Sequence, residues 1–118
     1  MSAVVQEFKC GQVAVTVARD ESAMGALTAT AIVRTLKAKA ASGVPTALWL
    51  MAAPSAFPFY RALIRQAGAD AALRDVLRGA HYFQFDDYPI PRSSPQFPAT
   101  FRHLLETSFY QPLAGVCG

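Results

Sequence analysis

The stretch TALWLMAAPSAFPFYRAL, Thr46 to Leu63, decides the fold. Its first six residues, Thr46 to Met51, form a continuous apolar run between the Gly43–Pro45 turn and the small-residue loop 52–56. A run this short, apolar on both faces, predicts a buried parallel strand, with Trp49 in the core. Phe59 to Gln66 then reads as a helix with Tyr60, Leu63 and Ile64 inward and Gly68 at its end.

Upstream, Val13, Val15 and Val17 alternate with small residues in VAVTVA, the mark of a short strand. Asp20 is placed to cap a helix, with Glu21 in its first turn. That helix is predicted to bury Met24, Leu27, Ala31, Ile32 and Leu36 and to stop at Ser42-Gly43 before Pro45. Downstream, a short helix is expected over Asp70 to Leu77, stopped by Gly79, and a strand over His81 to Phe85. A Pro/Ser-rich loop leads to a last helix, Ala99 to Tyr110, carrying Phe101, Leu104, Leu105 and Phe109 as core residues. Pro112 to Gly118 reads as a connection. The alternation of strand and helix predicts an α/β fold: a Rossmann-like parallel sheet with helices on both faces. Ligands of such sheets bind beyond the carboxyl ends of the strands.

Composition narrows the function. Just over half of the 118 residues are apolar and 16% are charged, the balance of one packed domain. A net charge of +3 without a basic, aromatic-interleaved block argues against a nucleic-acid partner and leaves a small anionic ligand in view. Cys10 and Cys117 stand at opposite ends with no neighbouring metal-ligand spacing, so neither a disulfide framework nor a zinc site is expected. The start, MSAVVQEFKCGQ, lacks a signal-peptide pattern, and no apolar stretch is long enough for a bilayer. A cytoplasmic protein without a membrane partner is expected, acting as a homo-oligomer.

Two segments fall at predicted strand ends. Around Ala53, Pro54 and Ser55 the side chains are small enough to let a ligand approach the backbone, and the Ser55 hydroxyl can donate to a phosphate oxygen. A plain strand-to-helix turn with Ser55 as N-cap explains the same residues. Asp86 and Asp87 follow Phe83 and Phe85 and precede Tyr88; aromatic neighbours raise a carboxyl group toward the range useful for proton transfer. A polar turn whose carboxylates cap the chain is the plainer alternative. Further ligands for a metal are not in view, and neither His81 nor His103 has a nucleophile motif beside it.

Taken together, ALWLMAAPSAFPFYRAL (Ala47 to Leu63) and FQFDDYPIPRSSPQFPATFRHLLETSFYQPL (Phe83 to Leu113) resemble two segments of the glucosamine-6-phosphate deaminase/isomerase family, related to the 6-phosphogluconolactonases. The first resembles its phosphate loop. The second is similar to its Phe-x-x-Asp-Glu-Tyr segment, followed by a proline-containing loop and a helix ending in paired aromatics, here Phe109-Tyr110. The likeness covers nearly the whole chain and implies that residues 1–118 are the N-terminal portion of one sugar-phosphate isomerase/deaminase-like domain.

The resemblance further implies that Asp86 moves a proton between C2 and C1 of an open-chain amino-sugar phosphate. Asp87 and Tyr88 would then shape the site, and Ala53, Pro54 and Ser55 would meet the phosphate, with no cofactor. The implied reaction converts glucosamine-6-phosphate to fructose-6-phosphate and ammonia. Lactone hydrolysis and non-catalytic sugar-phosphate binding are the alternatives. The loop lacks the family's paired glycines, and Phe101 stands where many members have tyrosine. Members run to roughly twice this length, so the chain is expected to be part of a longer protein and inactive by itself.

Overall fold

The computed structural model describes residues 2–118. It is a mixed α/β arrangement with two separate two-stranded sheets and a helical layer. β1 (Val4–Cys10) and β2 (Val13–Ala18) form an antiparallel hairpin. Gly11 makes its two-residue turn possible: its φ of 62° is the positive value that the first position of such a turn requires. The expectation that β2 joins a parallel sheet is therefore corrected. A partner two residues away closes with far less loss of chain entropy than one beyond a long helix.

α1 (Glu21–Ala41) starts as predicted, with the Asp20 carboxylate accepting from the Ala23 amide at 2.8 Å. It ends in a Schellman motif: Gly43, at φ 70°, donates to Ala40, and Val44 donates to Lys39. Its buried residues are Ala23, Gly25, Ala29, Val33 and Leu36, so of the predicted set only Leu36 is buried. The reason is the crossing with α2 (Phe57–Ala69). A Cβ at position 25 would lie 2.3 Å from the carbonyl carbon of Pro58, so backbone approaches backbone and the small-residue face turns inward. Met24, Leu27, Ala31 and Ile32 instead line a groove between α1 and the hairpin.

β3 (Ala47–Leu50) and β4 (His81–Gln84) pair in parallel, Leu50 opposite Gln84, joined by α2 and α3 (Ala71–Gly79). Asp70 caps α3 by accepting from the Leu73 amide at 3.1 Å and also pairs with Lys37. One face of this pair, bearing Leu48, Leu50 and Tyr82, packs on a core of Tyr60, Leu63, Leu73, Leu77, Leu105 and Phe109. Tyr60 anchors that core: its ring lies 4.9 Å from Phe109, and its hydroxyl donates to the Met51 carbonyl. The opposite face is open. Trp49, expected in the core, is 70% exposed there. Helices cover one face of the pair, and the extended Rossmann-like sheet with helices on both faces is not formed.

The C-terminal segment is helical almost to its end, which corrects the reading of Pro112 to Gly118 as a connection. α4 (Phe101–Leu105) passes through a π-helical turn, Glu106–Tyr110, into α5 (Gln111–Cys117). A proline cannot donate in the helical ladder, and the wider turn just before it carries the helix past Pro112. Burial of Leu113 and Cys117 holds α5 in place.

Candidate functional site

The two segments singled out by sequence leave the same end of the parallel pair. The register ends at Leu50 and Gln84, and the Phe85 amide extends it by donating to the Leu50 carbonyl at 3.0 Å. The 52–56 loop and the Asp86–Tyr88 turn thus start one strand spacing apart, about 4.8 Å.

The structure gives the two aspartates different tasks. Asp87 Oδ1 accepts from the amides of Tyr88 at 2.7 Å and Phe101 at 2.8 Å, and Oδ2 accepts from the Arg102 amide at 3.0 Å. It thereby ties the strand end to the start of α4, alongside the Thr100 hydroxyl, which accepts from His103 N–H at 3.1 Å. Burial pushes the Asp87 carboxyl up, but hydrogen bonds from the Gln84 side chain and these amides outweigh it and hold it below its ordinary 3.8. For Asp87 the capping role is the one the fold builds. Asp86 is exposed, and among the described residues no donor reaches its carboxylate; only its backbone carbonyl is engaged, accepting from Gln84 Nε2 at 2.7 Å. Tyr88 leans on Phe101, ring centroids 5.2 Å apart.

On the other side, Pro54–Ala56 forms a single 3₁₀ turn that runs into α2. Ser55 is exposed and does not cap α2, whose N-cap position is Ala56 with no side-chain bond. The Ala56 amide donates to Ala53 at 2.9 Å, the Phe57 amide donates to Pro54, and Pro58 has no N–H. Fewer amides therefore face a ligand than in a glycine loop, and the Ser55 hydroxyl is the clearest donor at Ala53-Pro54-Ser55.

The loop after Tyr88 is fastened by groups that carried no sequence signal. Arg92 grips Glu106 with both terminal nitrogens, at 2.6 and 3.2 Å, and lies over the Phe97 ring at 4.8 Å; Arg102 adds a third bond to Glu106 at 3.1 Å. The Arg92 bonds, ahead of the Arg102 bond and against a smaller burial penalty, hold the Glu106 carboxyl below its ordinary value. Arg92 and Glu106 are fourteen residues apart across an irregular loop, a separation with no periodic signature. A cleft of about 410 Å³ opens beside them, walled by Tyr88, Ile90, Arg92, Phe97 and Arg102, without a residue of the 52–56 loop.

His81 opens β4 at the opposite end; His103, in the first turn of α4 beside the Arg102 amide that Asp87 holds, meets the edge of Phe97 at 5.8 Å. Among the described residues no group of three or more His, Cys, Asp or Glu could hold a metal, and no helix is long and apolar enough to cross a membrane. Both cysteines are free, Cys10 exposed and Cys117 buried. Comparison with models of known protein families, with curated proteins and with solved structures gave no match.

Proposed function

We propose that the carboxyl end of the β3–β4 pair is a sugar-phosphate site of the amino-sugar-phosphate isomerase/deaminase kind, with Asp86 as its base. The observation that carries this reading is the division of labour between the two acids. Asp87 is tied up by backbone amides, which leaves Asp86 a carboxylate without a partner, one strand away from the Ser55 loop. A single carboxylate on one face of an open-chain amino sugar can take the proton from C2 and return it to C1. The resulting imine is hydrolysed by water to fructose-6-phosphate and ammonia. Ser55 would donate to the phosphate, and Tyr88 would wall the site.

Binding without turnover is the second reading. It is favoured by the engaged amides of Ala56 and Phe57. Glucosamine-6-phosphate should raise the melting temperature of the chain, and Ser55→Ala should reduce that rise. Any ammonia release should vanish in Asp86→Asn with an unchanged circular dichroism spectrum. A melting shift without product would select the binding reading. Neither shift nor product with any sugar phosphate or amino-sugar phosphate would defeat both.

A further inference from the structure

The open face of the β3–β4 pair is an aromatic surface with no role in the site described above. Trp49 (70% exposed), Met51 (51%), Phe83 (52%) and Phe85 (64%) project from it. Trp49 sits between the two phenylalanines, its centroid 6.1 Å from Phe83 and 6.3 Å from Phe85. The alternation that buries Leu48 and Leu50 puts Ala47 and His81 on this same face, so it carries no Lys, Arg, Asp or Glu. A solvated sheet face alternates to polar side chains, and parallel strands are ordinarily covered on both sides. This one has neither arrangement.

We infer that this face is a self-association surface, and that two copies of the chain stack their β3–β4 pairs through Trp49, Phe83 and Phe85. Aromatic side chains present 150–250 Å² each, so the exposed fractions of Trp49, Phe83 and Phe85, together with that of Met51, amount to roughly 500 Å² per copy. Two copies would bury about 1,000 Å², the lower bound for a specific interface, which points to a reversible dimer. The patch is apolar throughout, so it is complementary to itself under a two-fold axis, the symmetry a homodimer requires. Facing sheets pack about 10 Å apart, close enough for the aromatic row of one copy to lie against that of the other. An anionic lipid surface fits less well, because the Asp86–Asp87 turn lies at the rim. The inference is independent of the sugar-phosphate reading.

Trp49 is the single tryptophan of the chain and lies at the centre of the patch, so it reports the contact directly. Sedimentation velocity should show a species of twice the 12.7 kDa chain mass at high concentration, with Trp49 emission moving to longer wavelength as dilution dissociates it. Phe83→Glu should lower the association constant at least about 30-fold, as loss of an interface hot spot does, with unchanged helical dichroism. Phe85→Gln is the milder variant should Phe83→Glu fail to fold. Val5→Glu, on the exposed hairpin, should leave the dimer intact. The inference is overturned by a monomer at every concentration, by a dimer that survives both phenylalanine variants, or by a ladder of larger species without a defined dimer. Trp49 emission that moves to shorter wavelength on addition of lipid vesicles to a monomeric chain would likewise overturn it.

Discussion

Gly25→Ala tests the helix crossing on which the fold is built. A methyl group at position 25 would sit 2.3 Å from the Pro58 carbonyl carbon, 2.4 Å from its oxygen and 2.7 Å from its Cβ. All three atoms belong to the start of α2 or to its rigid proline ring, so no flexible side chain can move aside. Relief requires α1 and α2 to separate, which disturbs the packing of Ala29 and Val33. Overpacking of a tight core costs about 1–3 kcal/mol, with the upper end or more expected when the obstacle is backbone. Alanine returns about 0.8–1 kcal/mol of helix propensity over glycine. The net loss should be about 2–3 kcal/mol, a fall in melting temperature of roughly 6–15 °C for a chain of this size. Gly68→Ala provides the opposite control. It lies inside α2, where the nearest atom to an added Cβ is Val116 Cγ1 at 3.8 Å, an ordinary contact. Propensity should dominate there and raise stability by about 0.5–1 kcal/mol. Urea and thermal unfolding followed by circular dichroism measure both. A Gly25→Ala protein as stable as the parent, or a Gly68→Ala protein equally damaged, would refute the packing argument.

Two further outcomes follow from the carboxylates. Asp87→Ala frees the Phe101 and Arg102 amides and should destabilise the chain by about 1 kcal/mol, the low-to-middle range for a lost cap at an exposed site; Asp86→Ala should stay within about 0.5 kcal/mol. Equal effects in urea unfolding would contradict the separation of their roles. The carboxyls of Asp20, Asp70, Asp87 and Glu106 are all held below their ordinary values of 3.8 for aspartate and 4.5 for glutamate. Their folded pKa values are depressed, so the unfolded chain takes up more protons as pH falls. The melting temperature should therefore be flat from neutral pH to about pH 5.5 and drop below about pH 4.5. A melting temperature that rises on acidification would contradict these pairings.

Much of the local structure was legible because short-range chemistry fixes it. Asp20 and the Ser42-Gly43 stop bound α1 as read, and Asp70 caps α3 through its own neighbouring amides. β1 was missed because Gln6, Glu7 and Lys9 interrupt its apolar pattern. The available signal was Gly11-Gln12 between two β-prone runs, the spacing of a tight hairpin. Thr46–Met51 was rightly read as a parallel strand. A continuous apolar run, however, states only that both faces are apolar, not that both are covered, and Trp49 fell on the open side. Sequence located the candidate site at two strand ends. The residues alone did not distinguish Asp86 from Asp87, which only the family resemblance set apart; in the fold Asp87 is the one held by the Phe101 and Arg102 amides, fourteen and fifteen residues further along.

The π-helical turn has a consequence for the C-terminal core. Leu105, Phe109, Leu113 and Cys117 are all buried, at strict intervals of four. In a regular α-helix that interval drifts, and Cys117 would have rotated about 120° away from Leu105 by the third step. One surplus residue in the wider turn cancels about 100° of that drift and brings all four onto one line. The extra residue acts like a vernier, resetting the helix by one notch halfway along its length. It also marks the one place where this helix could lose a residue and, by closing into ordinary α-geometry, still present the same side chains to the interior.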